Sequence, residues 1–213
     1  MMIAPEGWPF VVIPLSAGVV VWFLGWPIIG VLLSALGLFA LYFFRNPKRS
    51  CTFEDHTASS PADGKVIKIC PAPAELVQLG LPQQVSVFMS VFDVHVNRSA
   101  IDGELIEYSY NKGRKFSAFK DKASLENEQN LSIWEGPHGR IALKQIAGLI
   151  ARRIVFDHCP GDTIHRGDRI GLIRYGSRVD VFLPENATVL VNRGDRVRAG
   201  ESAIARFAGN DPS

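Results

Sequence analysis

The hydrophobic pattern divides the chain into two unequal parts. Residues 9–44, "PFVVIPLSAGVVVWFLGWPIIGVLLSALGLFALYFF", contain no charged side chain. After residue 45 the apolar residues come in short runs that alternate with polar ones. A single membrane-spanning helix needs about 20 apolar residues, and the first stretch is nearly twice that. Gly25-Trp26-Pro27 interrupts it near the middle, where proline stops a helix and glycine eases a turn. The pattern predicts two apolar helices, at about 10–25 and 28–44, folded as a membrane hairpin. Two crossings, a shallow re-entrant hairpin and one long bent helix all remain open, because each half is short for a full span. A secretory signal does not fit, since the opening "MMIAPEGW" has no Lys or Arg and the apolar core is too long. Arg45, Lys48 and Arg49 follow directly, so the positive-inside tendency puts the rest of the chain on the cytoplasmic face of the cell membrane.

In the second part, "KVIKI" (65–69), "QVSVFMSVFDVHVNR" (84–98) and "DGELIEYSY" (102–110) show the period-two alternation of strands, rich in Val, Ile and Phe. Residues 111–130 are polar and basic and predict a loop or short helix. "LSIWEGPHGRIALKQIAGLIARRIVF" (131–156) predicts a hairpin around Gly136-Pro137, followed by strand in preference to helix. The last third contains an echo. "PGDTIHRGDRIGLIR" (160–174) and "RGDRVRAGESAIARF" (193–207) share G-D-x-[IV]-x-x-G-[DE], offset by 33 residues. Gly-Asp turns at this spacing suit a small barrel or sandwich. The prediction is therefore mainly β: a barrel-sandwich-like domain over 46–213 with few helices, preceded by the apolar hairpin of 1–45. The echo is similar to the modules of lipoyl and biotinyl carriers.

Charge narrows the partners. A net charge of +2 is too small to indicate nucleic acid. The three cysteines, Cys51, Cys70 and Cys159, are far apart with no C-x-x-C pair, which predicts neither a disulfide framework nor a metal site and fits a reducing compartment.

One run breaks its own pattern. "GLIRYGSRVDVFLP" (171–184) reads as strand at both ends yet has Gly176-Ser177 in its middle. Glycine weakens a strand and marks a bulge or a close backbone approach. With "SPADGKV" (60–66), "FDVHVNRSA" (92–100), "GRKFSAFKDKASLENEQN" (113–130), "IAGLIARRIV" (146–155) and "GDTIHRGDRIGLIRYGSRVD" (161–180), in that order, the chain resembles the short bacterial and archaeal form of the phosphatidylserine decarboxylases over essentially its whole length.

The resemblance implies a proenzyme that cuts itself between Gly176 and Ser177. The Ser177 hydroxyl would attack the Gly176 carbonyl, turning an amide into an ester, with backbone N–H groups stabilising the oxyanion. Loss of the Ser177 α-proton then expels the ester by β-elimination, and loss of ammonia leaves a covalent pyruvoyl group. Chains 1–176 and 177–213 would stay together as a heterodimer. The pyruvoyl ketone, the only cofactor implied, would form a Schiff base with the substrate amine and act as electron sink for decarboxylation of phosphatidylserine to phosphatidylethanolamine.

By the same resemblance, Asp63 in "PADGK" would assist self-cleavage by orienting or charge-balancing a general base. His95 matches the first histidine of the D-x-H-x-x-H pattern of the longer bacterial form, which serves decarboxylation, whereas Arg98 stands where the second would fall. This leaves open which base starts the self-cleavage, and whether His95 does both jobs. The basic loop 112–122, with Phe116 and Phe119, suits lipid headgroups. Lys115, Arg152 and Arg153 are candidate headgroup contacts. Two other readings compete. A non-enzymatic membrane-anchored carrier is suggested by Asp121-Lys122-Ala123, which imitates a lipoyl attachment triplet but lies outside the repeat. A serine hydrolase lacks the G-x-S-x-G spacing around Ser177.

Overall fold

A computed structural model describes residues 2–113, 127–148, 153–174 and 176–208, in two compact units that divide after Lys48. In the first unit, β1 (Met2–Ile3) pairs with β2 (Arg45–Asn46), which brings the two ends of the apolar segment together. Between them run α1 (Trp8–Phe23) and α2 (Pro27–Phe43). Gly25, at φ +88°, makes the turn, and Pro27 opens α2, where a missing N–H does no harm. A Cβ on Gly18 would lie 2.8 Å from the Gly30 carbonyl oxygen, and one on Gly30 would lie 2.8 Å from that of Gly18. The helices therefore approach backbone to backbone, as small residues allow. Phe23, Leu24, Trp26 and Ile28 are 83%, 70%, 63% and 76% exposed. The 19-residue helical run Pro5–Phe23 is long and apolar enough to cross a membrane, whereas Pro27–Phe43 is shorter.

The second unit is built of strands: β3 (Thr57–Ser59), β4 (Gly64–Pro71), β5 (Gln83–Met89), β6 (Val96–Arg98), β7 (Gly103–Asn111), β8 (Gln129–Gly136), β9 (Gly139–Ala147), β10 (Ile154–Phe156), β11 (Thr163–Ile164), β12 (Arg169–Ile173), β13 (Ser177–Leu183), β14 (Ala187–Val189), β15 (Arg196–Val197) and β16 (Ala203–Phe207), with the short helix α3 (Ala74–Gln78). The mainly-β expectation holds. The predicted hairpin around Gly136-Pro137 is β8 and β9, paired from Gln129 opposite Ile146 to Gly136 opposite Gly139. The polar segment 111–130 falls mostly outside the described residues.

The sheets follow one plan. The large sheet has the order β11-β7-β8-β9-β13-β5-β4-β15, and two three-stranded sheets have the orders β10-β12-β6 and β14-β16-β3. Counted from either edge, β11 matches β15, β7 matches β4, β8 matches β5, and β9 matches β13. The small sheets match as well: β10 with β14, β12 with β16, β6 with β3. The strands thus fall into two seven-stranded halves related by a topological two-fold between β9 and β13. The echo at 160–174 and 193–207 is one pair of equivalents, β11–β12 and β15–β16. One half, β6 to β12, is continuous. It is inserted into the other between β5 and β13, and the chain enters and leaves it next to Met89 and Ser177, which pair directly.

The β13 strand is buried at all seven positions, as expected for a central strand covered on both faces. Val179, Val181 and Leu183 alternate into the main core, and Phe182 turns the other way to join Leu76, Leu81, Ile133 and Ala142. Each such side chain adds about 1.5–3 kcal/mol by leaving water. The cleavage-site candidate therefore lies at the first residue of the best-covered strand.

Candidate active site

The two crossings between the halves meet at one place. The first, from β5 to β6, carries His95. The second, from β12 to β13, carries Gly176 and Ser177. Because Met89 and Ser177 are partners, the crossings leave the sheet side by side. His95 is fully buried. Its Nδ1 lies 3.0 Å from the Asp93 carbonyl oxygen, and its Nε2 accepts the Gly176 N–H at 3.3 Å. A carbonyl oxygen only accepts and a backbone N–H only donates. One neutral tautomer satisfies both contacts, with the proton on Nδ1 and the lone pair on Nε2, the arrangement of a general base.

Gly176 has φ +60°, in the left-handed region, where glycine is favoured over any residue with a Cβ. Ser177 is fully buried, and its Oγ has no hydrogen-bond partner among the described residues. Leaving a buried hydroxyl unpaired costs about 1–3 kcal/mol, so such a group calls for an explanation. Here it sits one residue from an amide held by an unprotonated imidazole nitrogen.

Asp63 is held by partners of its own, though it is near enough to Asp93 for the two charges to interact. Its turn precedes β4, and Lys65 in β4 and Arg178 in β13 both pair with Phe88, so it starts two strands away, about 10 Å at ordinary strand spacing. Its Oδ2 accepts from Arg49 Nη2 at 2.8 Å and its Oδ1 from the Ala199 N–H at 2.8 Å; Arg49 also pairs with Glu201. Burial raises the Asp63 pKa, opposed by the Ala199 N–H and the Arg49 charge. Among the headgroup candidates, Arg153 is exposed, and its carbonyl accepts the Arg174 N–H at 3.3 Å beside the second crossing. Lys115 and Arg152 lie outside the described residues, as do Phe116, Phe119 and the triplet Asp121-Lys122-Ala123.

The structure adds three features that strand alternation does not single out. A chain of buried amides underlies the site: Asn130 Nδ2 donates to Gln145 Oε1 at 2.8 Å, Gln145 Nε2 to Asn97 Oδ1 at 2.7 Å, and Asn97 Nδ2 contacts Met89 Sδ at 3.5 Å. It ties β8, β9, β6 and β5 together and ends at Met89, the strand partner of Ser177. The second is the turn before His95. Ser90 donates to Asp93 Oδ2 from its N–H at 2.8 Å and its hydroxyl at 2.7 Å. D-x-H in the sequence is the one hint of this, since the histidine follows Asp93 at two residues.

The third is Arg178, which is 2% exposed and faces away from the core beside Asp180 on β13. Arg178 Nη2 donates to Asp180 Oδ2 at 3.0 Å, and Nε lies 2.9 Å from Oδ1. Burial pushes the Asp180 pKa up against the pull of Arg178, so desolvation outweighs the pairing. Removing one partner of a buried pair is more damaging than replacing both. Arg178→Met should lower unfolding stability by about 3–5 kcal/mol, and Arg178→Met with Asp180→Leu by clearly less. Urea melts of the two variants check this.

Comparison with known sequences follows the same line. A profile of the phosphatidylserine decarboxylase family matches residues 36–205, which include both crossings. The phosphatidylserine decarboxylase proenzyme of Syntrophotalea carbinolica is 45% identical over 203 residues, covering 95% of each chain. That of Ruegeria pomeroyi is 44% identical over 206 residues, covering 94% of this chain and 93% of the relative. That of Symbiobacterium thermophilum is 42% identical over 208 residues, covering 97% and 96%. The class is thus a decarboxylase made as a proenzyme. The chain belongs to the phosphatidylserine decarboxylase family.

Proposed function

We propose that this protein decarboxylates phosphatidylserine to phosphatidylethanolamine, using a pyruvoyl group that it makes from Ser177 by cutting its own chain after Gly176. The observation that carries the proposal is the contact of His95 Nε2 with the Gly176 N–H beside the unpartnered Ser177 hydroxyl. The residues fit the group. Ser177 supplies the carbon skeleton, Gly176 supplies a carbonyl with no Cβ in the way, and His95 supplies a base at the peptide just before the one to be cut.

In self-cleavage, His95 Nε2 exchanges the Gly176 N–H for the Ser177 hydroxyl and takes its proton as Oγ bonds to the Gly176 carbonyl carbon. The amide becomes an ester and the Ser177 nitrogen becomes an amine. Removal of the Ser177 α-proton then breaks the Cβ–O bond, and Gly176 leaves as a carboxylate. Water replaces the nitrogen, which departs as ammonia. The resulting ketone supplies an electrophile for the substrate amine and a sink for the electrons left when carbon dioxide departs. His95, facing this position, is placed to protonate the substrate carbon afterwards.

Asp63 supports the base at a distance, its carboxylate favouring a positive imidazole at this end of the sheet. Chains 1–176 and 177–213 stay joined because β13 lies between β9 and β5, while β15 pairs with β4 and β16 with β3. Lys115, Arg152 and Arg153 contact the headgroup. The apolar hairpin anchors the enzyme in the cell membrane, with the β unit on the cytoplasmic face. Purified, fully cut protein should release carbon dioxide from phosphatidylserine in mixed micelles and leave an equal amount of phosphatidylethanolamine. No release from material shown to be cut contradicts the assignment.

A further inference from the structure

We propose that Asp93 is a positioning residue for His95, acting through the turn it closes rather than by touching the reacting atoms. This rests on the proposed role of His95 as base.

The turn is closed from both sides. The Asp93 N–H donates to the Ser90 carbonyl at 3.0 Å. Its Oδ2 accepts both the Ser90 N–H and the Ser90 hydroxyl. Its Oδ1 lies 3.3 Å from Arg196 Nη1. Three hydrogen bonds between Ser90 and Asp93 fix the turn, and the Asp93 carbonyl that follows it accepts the proton on His95 Nδ1. The His95 ring is thereby held with Nε2 toward Gly176. The His95 carbonyl adds a second anchor, accepting the Ile173 N–H at 3.3 Å from the end of β12. The aspartate side chain is 15% exposed and that of Arg196 is 76% exposed.

These magnitudes rank the contacts. A solvent-exposed arginine contributes little to such a pair, whereas hydrogen bonds to a charged group contribute more than neutral ones. The Ser90 contacts therefore carry the positioning, and Arg196 is secondary. This dyad also spans the proposed cut, since Asp93 belongs to 1–176 and Arg196 to 177–213.

Two readouts test the proposal. The first is the rate of self-cleavage. Asp93→Ala should slow it about tenfold or more. Asp93→Asn, which keeps an acceptor for Ser90, should stay within about threefold of wild type. Arg196→Gln should change it less than twofold. Ser90→Ala, which removes one of the bonds, is the variant to use if Asp93→Ala does not fold; it should slow cleavage more than Asp93→Asn and less than Asp93→Ala, and a smaller effect than that of Asp93→Asn overturns the proposal.

The second readout is the nitrogen NMR signal of the His95 ring in the full chain. It is recorded in a Ser177→Ala background, where the chain stays whole, and assigned with His95→Gln. The ring should report the Nδ1-protonated tautomer, and Asp93→Ala should mix in the Nε2-protonated one. A purely structural role would lower the melting temperature and leave the tautomer unchanged, and that result overturns the proposal. So does cleavage of Asp93→Ala at the wild-type rate. The tautomer measurement needs no cleavage, so it still decides the positioning role if the wild-type chain proves not to cut itself.

Discussion

Ser177→Ala is expected to leave the chain whole and without decarboxylase activity. Alanine keeps the backbone and the Cβ of residue 177 and removes only Oγ. That atom is buried with no hydrogen-bond partner among the described residues, so its loss takes away no bond that supports the fold. Burying an unpaired hydroxyl is itself unfavourable by about 1–3 kcal/mol. The variant should therefore melt no lower than an uncut wild-type precursor. Stability and function should separate at this position: the fold should persist while the proposed nucleophile, and with it the proposed source of the ketone, is gone. A denaturing gel, a thermal melt and a carbon dioxide release assay on one preparation report all three. A cut Ser177→Ala chain, or an uncut one that still decarboxylates, is inconsistent with the mechanism.

His95→Gln should slow self-cleavage by about 10²–10⁴-fold, the usual contribution of a positioned general base. Glutamine can still accept the Gly176 N–H, so the crossing stays supported, but it cannot take a proton from Ser177. The time course of intact chain after synthesis measures this. The same variant, once cut on long incubation, tests the second job of His95. Loss of carbon dioxide release from cut His95→Gln places the histidine in decarboxylation as well, whereas normal release confines it to self-cleavage. Cleavage at the wild-type rate removes His95 from the base role.

Much of this was legible in the sequence because it rests on local pattern. Charge-free residues 9–44 broken at Gly25-Trp26-Pro27 give α1 and α2, and period-two alternation gives β4, β5 and β7. The Gly-Asp echo at offset 33 reads directly as β11–β12 and β15–β16. What the sequence could not display is that the echo belongs to two whole halves, one inserted in the other. That relation lives in long-range pairing, which leaves no mark on neighbouring residues. The meeting of His95 with Gly176 follows from it: the residues are far apart in the chain, but each lies on a crossing beside the Met89–Ser177 pair. Asp63 is legible only as a turn residue, because its partners, Arg49 and the Ala199 N–H, come from distant parts of the chain and leave no mark on its motif. The amides Asn97, Gln145 and Asn130 read as ordinary polar strand positions, because nothing local says that their partners are one another.

The most direct test is the intact mass of the smaller fragment from active wild-type protein. The account predicts a fragment 177–213 lighter by one ammonia than the same peptide with an amino-terminal serine, carrying a ketone that reacts with hydroxylamine and is blocked to amino-terminal sequencing. Active protein in which residue 177 is an unaltered serine within one continuous chain would contradict it.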